Sequence, residues 1–108
     1  MFARNVALKL KPNTTVPEFN QLFEKEVLPL LRNQKGFQNE ITFAPAPGSL
    51  DLIAISFWDS RESAEAYNAS AYPELVKALS KVVEGPPRVW SSEVLSCTFQ
   101  KTAAHVAA

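Results

Sequence analysis

The apolar residues of the chain fall into alternations of period two and stripes of helical period. From Phe2 to Lys11, Phe2, Val6, Leu8 and Leu10 share one face, and Arg4 breaks their run. Ala3, Asn5, Ala7 and Lys9 share the other face. Side chains alternate along a strand, so this segment is predicted to be one. Pro12, Asn13 and Thr14 make a turn. A helix is predicted from about Thr15, because Thr15-Val16-Pro17-Glu18 has capping-box spacing. Phe19, Leu22, Phe23, Val27, Leu30 and Leu31 then form one apolar stripe. Pro29 removes a backbone donor and crowds the Lys25 carbonyl, which predicts a kink. Gly36 is a left-handed cap that ends the helix.

Phe37 to Phe43 reads as a second strand, with Phe37, Asn39, Ile41 and Phe43 on one face. The prolines and glycine of Ala44 to Ser49 mark a loop. Leu50 to Trp58 is a third strand that is apolar on both faces. Leu52, Ala54 and Trp58 lie on one side, and Ile53, Ile55 and Phe57 on the other. Such a strand is central or covered by a partner. Asp59 is the expected cap of the next helix, whose inner side is Ala64, Tyr67 and Ala71. Ser70 to Pro73 interrupts it. A second helical segment carries Leu75, Val76, Leu79, Val82 and Val83, and Gly85-Pro86-Pro87 stops it. Arg88 to Gln100 is predicted to be a long fourth strand, with Trp90 and Ser92 on one face. Residues 101–108 lack an apolar pattern and read as a flexible tail.

The order strand, helix, strand, strand, helix, strand is the ferredoxin-like βαββαβ arrangement. It predicts one α+β domain over residues 1–100, a four-stranded antiparallel sheet with helices on one face. The third strand is apolar on both sides, so the uncovered sheet face is predicted to meet a second copy in a homodimer.

Composition narrows the partners. Among 108 residues, eleven Lys and Arg balance eleven Asp and Glu. A chain without a basic run is a poor fit to nucleic acid or to an anionic membrane. No apolar run approaches the roughly 20 residues of a membrane span, and Lys9 interrupts the only candidate for a secretory signal. The expected location is the cytoplasm. One Cys and one His, His105, exclude an internal disulfide and zinc sites built from several His and Cys residues. No metal is expected.

The pattern over Phe2 to Phe99 resembles the antibiotic biosynthesis monooxygenase family of dimeric α+β barrels. Asn5, Leu28-Pro29-Leu30-Leu31 with Lys35-Gly36-Phe37, and Ser56-Phe57-Trp58-Asp59-Ser60 leading to Glu65-Ala66-Tyr67 carry the resemblance. It implies a pocket in each monomer between helices and sheet. It also implies either oxidation of polycyclic phenols by oxygen without a cofactor, or haem degradation. In the haem-degrading branch the resemblance implies a pocket asparagine at Asn5. The chain departs from that branch at Tyr67, where a tryptophan is expected, and at about Lys77, where the axial histidine is expected.

On this footing the expected ligand is a small apolar or aromatic molecule, and no cofactor is expected. Asn5 is a candidate to polarise a substrate carbonyl; the alternative is a solvent-facing strand residue. Tyr67 is a second candidate, as a phenol donor. Trp58, Ser56, Trp90 and Phe23 are candidate pocket-lining residues. For Trp58 the competing role is helix-to-sheet packing, and for Trp90 the dimer seam. Cys97 reads as an inert buried thiol. Glu93 and Glu40 are the carboxylates within reach as a base, but strand ends favour solvent, which leaves the pocket without a clear base. A non-catalytic binding or structural barrel is the alternative function.

Overall fold

The computed structural model describes residues 1–99. The predicted tail, residues 101–108 with His105, lies outside the described residues. The elements are β1 (Phe2–Lys9), α1 (Val16–Leu22), a π-helical turn (Phe23–Val27), α2 (Leu28–Arg32), β2 (Phe37–Phe43), β3 (Asp51–Trp58), α3 (Arg61–Ser70), α4 (Tyr72–Leu79) and β4 (Arg88–Glu93). The strands form one antiparallel sheet in the order β2-β3-β1-β4, which is the ferredoxin-like order. The helices cover one face.

Register assigns the side chains to faces. On the helix side, Phe37, Trp58, Phe2 and Glu93 form one cross-strand row, and Glu40, Ser56, Arg4 and Ser91 the next. On the opposite side run Ile41, Ile55, Asn5 and Trp90, then Phe43, Ile53, Ala7 and Arg88. Phe37 does not share a face with Ile41, because a register shift between Phe37 and Asn39 moves it to the helix side. There its ring meets Trp58 edge-on, with centroids 5.6 Å apart.

The core lies between sheet and helices. Phe19, Leu10, Leu52, Val27 and Trp58 are its most deeply buried side chains. The capping box forms as predicted: Thr15 Oγ1 accepts from the Glu18 N–H, and the Thr15 N–H donates to Glu18 Oε1 at 2.8 Å. The predicted kink at Pro29 takes the form of a π-turn. The Leu28 N–H donates to the Phe23 carbonyl, five residues back. Pro29 has no N–H for Lys25, so the preceding turn widens.

The cap of α3 is Ser60, whose side chain accepts from the Ser63 N–H, and not Asp59. Asp59 still belongs to the strand end, where its N–H donates to the Gly36 carbonyl at 2.8 Å. The fourth strand stops at Glu93, well short of Gln100. Val94 makes one more bond, to the Met1 carbonyl. Cys97 is exposed, not buried.

Candidate functional site

A cavity of about 390 Å³ lies between the helix face of the sheet and the helices. That volume is within the range of small-molecule sites. Val6 and Leu8 of β1 form part of its floor, Phe23 and Val27 of the π-turn one wall, and Leu75 and Leu79 of α4 another. The widened turn presents Phe23 and Val27 side by side to the cavity. Turns of this kind recur at functional sites.

One polar row crosses the apolar floor. Glu40, Ser56 and Arg4 stand on three adjacent strands and all line the cavity. Arg4 is 3 % exposed. Its guanidinium donates to Asn68 Oδ1 on α3. It also lies over the Tyr72 ring, 4.0 Å from the centroid, and 5.3 Å from that of Tyr67. Glu40 accepts from the Thr42 hydroxyl at 2.5 Å. Burial raises its pKa above the usual 4.5, and the Thr42 hydrogen bond opposes the shift in part. Removal from water also pushes the Tyr67 and Tyr72 phenols up, against the opposing charge of Arg4. The Tyr72 hydroxyl is buried without a hydrogen-bond partner among the described residues. Lys11, Ser80 and Glu84 line another part of the cavity.

Of the residues singled out from the sequence, Tyr67, Ser56 and Phe23 line this cavity. Trp58 does not. It is fully buried, stacks on Tyr67 with centroids 4.8 Å apart, and donates from Nε1 to Ser56 Oγ at 2.9 Å. It thus backs two lining residues. Asn5 and Trp90 lie on the other face of the sheet, because their parity is opposite to that of Arg4 and Val6. Asn5 Nδ2 donates to the Trp90 carbonyl at 3.2 Å. The expectation that Asn5 and Trp90 face the pocket is therefore corrected.

Arg4 and Tyr72 are cavity groups that the sequence pattern does not single out, and Glu40 reaches the cavity although its strand-end position favours solvent. The available signal was the single charge interrupting the Phe2, Val6, Leu8, Leu10 face. Among the described residues no cluster of three metal-ligating side chains occurs, and no helix is long and apolar enough to cross a membrane.

The architecture is that of antibiotic biosynthesis monooxygenase-like structures. No protein-family model and no curated protein sequence matches the chain. Solved structures do. The cofactor-independent oxygenase SnoaB of Streptomyces nogalater superposes with a TM-score of 0.71 at 11% identity, over 92% of this chain and 97% of its own. A Deinococcus radiodurans protein, provisionally named an antibiotic biosynthesis monooxygenase, gives 0.70 at 12% identity, over 94% and 100%. The haem degrader MhuD of Mycobacterium tuberculosis, with two haems bound, gives 0.72 at 17% identity, over 91% and 99%. At these identities the likeness is one of fold.

Proposed function

We propose that the chain is a monooxygenase-like protein that holds a small aromatic molecule in this cavity and oxidises it with dioxygen without a cofactor. The observation that carries the reading is the polar row of Glu40, Ser56 and Arg4 across an otherwise apolar floor. The shared fold with SnoaB supports the choice of chemistry. An electron-rich substrate such as an anthrone gives a proton to Glu40. A carboxylate with raised pKa is suited to general-base work nearer neutral pH. The Tyr67 phenol stays protonated and donates to the developing oxyanion. The apolar walls keep water from the carbanion while oxygen reacts. The role first expected of Asn5 passes to these groups.

Oxygen uptake tests this. Anthrone and dioxygen give anthraquinone and water, so the protein is expected to accelerate oxygen consumption and quinone formation. A chelator leaves the rate unchanged. A rate equal to the protein-free control overturns the reading.

The position of Asn5 outside the cavity favours a second reading, a small-molecule binder without turnover. Binding of anthrone without oxygen uptake selects it. Haem is the weaker fit as a substrate. An axial donor is needed, and the aromatic donors lining the cavity are Tyr67 and Tyr72, both held as neutral phenols by burial. No Soret band should form on adding stoichiometric haem.

The same reading includes a homodimer through the outer sheet face. Phe43, Ile53 and Trp90 on that face are 53%, 39% and 44% exposed.

A further inference from the structure

The guanidinium of Arg4 is deeply buried, and its described contacts account for little of its bonding capacity. They are one hydrogen bond, to Asn68, and the faces of two tyrosine rings. No ion pair to a carboxylate is among them. A guanidinium carries five N–H donors. Asn68 and the neighbouring Tyr72 occupy only part of that set. Buried charges are ordinarily paired, because an unpaired one loses its hydration without compensation. The Tyr72 hydroxyl, in the same cavity wall, is a second buried polar group without a partner. The guanidinium and the phenol thus lie side by side in the wall of an apolar cavity, and no carboxylate is among their described contacts.

We propose that Arg4 is an anion anchor, and that the cavity takes a planar aromatic acid whose carboxylate accepts from the Arg4 guanidinium and the Tyr72 hydroxyl. The rest of the molecule lies along the apolar walls formed by Val6, Phe23 and Leu75. A carboxylate matches the fork of a guanidinium with two parallel bonds. Glu40 does not compete for the site: Ser56 on β3 stands between it and Arg4 in the cross-strand row, and its carboxyl is engaged by Thr42. The proposal rests on the reading that the cavity holds a small aromatic molecule, and is independent of whether that molecule is turned over.

Calorimetric titration with two probes of nearly equal shape tests it. One is 2-naphthoate, an anion at neutral pH. The other is 2-naphthylmethanol, which is neutral. The naphthoate is expected to bind about tenfold more tightly or better, as a charge-assisted hydrogen bond contributes at least that much. Arg4→Gln is expected to bring the ratio of the two affinities down to about one, a ratio that cancels any change in the cavity felt by both probes. Equal affinity of the two probes for the unaltered chain overturns the anchor and leaves the cavity reading standing. Failure of both probes to bind overturns both. This comparison needs no folded variant. In addition, naphthoate should shift the backbone amide resonances of Ser56, Asn68 and Tyr72. Shifts confined to Ile55, Trp90 and the rest of the outer face overturn the proposal.

Discussion

Glu40 is the residue whose ionisation bears most directly on both stability and chemistry. Its pKa is raised in the folded chain, so the fold holds a proton that the unfolded chain has released. Stability from this group is fully present below the unfolded value near 4.5. It is lost as pH rises through the folded value. Glu40→Gln removes the titration, and glutamine still accepts from Thr42. The variant is expected to melt at a higher temperature than the parent at neutral pH, with the gap closing as pH falls towards 4.5. Thermal melts across that interval check it; a variant less stable at neutral pH contradicts the burial argument. The same variant should lose oxygen-uptake activity if Glu40 is the base. Individual cavity residues were only partly legible in the sequence. Tyr67, Ser56 and Phe23 were found because they sit on apolar faces that must turn inward. Asn5 was misplaced although its parity with Ala3 and Ala7 already put it opposite the apolar face of β1. Arg4 interrupts that face, and a lone charge there looks the same in sequence whether the strand buries it or lets it reach water. Glu40 is ambiguous in the same way: only its pairing with Ser56, a fact of register, brings it over the cavity.

Local signals within elements were far more legible, because they depend on neighbours a few residues apart. The Thr15–Glu18 capping box and the break around Pro29 needed no tertiary knowledge. The form of that break, a π-turn, emerged from how the helix resumes after the proline. What escaped were features that depend on a second element. The length of β4 depends on its pairing with β1, and the shift of Phe37 to the helix side is set by its pairing with β3. Gly36 combines both levels. Its φ of +84° suits glycine alone. A Cβ there would also collide with Asp59 Oδ1 and the Ser63 side chain, so the turn before β2 lies directly against the β3–α3 corner. Gly36→Ala is therefore expected to destabilise the fold by about 1–3 kcal/mol through strain and overpacking. Urea denaturation measures it, with an unchanged slope. A loss within about 0.5 kcal/mol, the range of an ordinary surface change, would mean that the corner adjusts freely.

At the scale of the whole molecule the sheet separates two surfaces with different tasks. One side faces the helices and contains the cavity. The other carries Ile41, Phe43, Ile53, Ile55, Phe57 and Trp90 without helical cover. Antiparallel sheets commonly leave one face to water, but that face is then polar. In the proposed homodimer an apolar face of this breadth is the interaction surface, and an isologous contact with a second copy matches it with itself. Phe99, at the end of the described chain, packs edge-on against Phe57, with centroids 4.9 Å apart, yet Leu95 remains 99% exposed. Among the described residues, the segment after β4 (94–99) thus covers only part of the face. Ile53→Asp places a charge at a position that is already 39% exposed in the single chain, so it opens no cavity in the core. Sedimentation analysis should find the parent protein as a dimer and this variant as a monomer with its secondary structure retained. A parent that is monomeric at micromolar concentration removes the sheet-to-sheet contact from the reading. Because Ile53 and the Arg4 row point to opposite sides of the sheet, the monomeric variant should also keep the tenfold preference for 2-naphthoate, within about twofold if distant sites act independently. If the preference vanished with the dimer, the anion site would need the partner for its geometry, and the two faces would be coupled through the sheet they share.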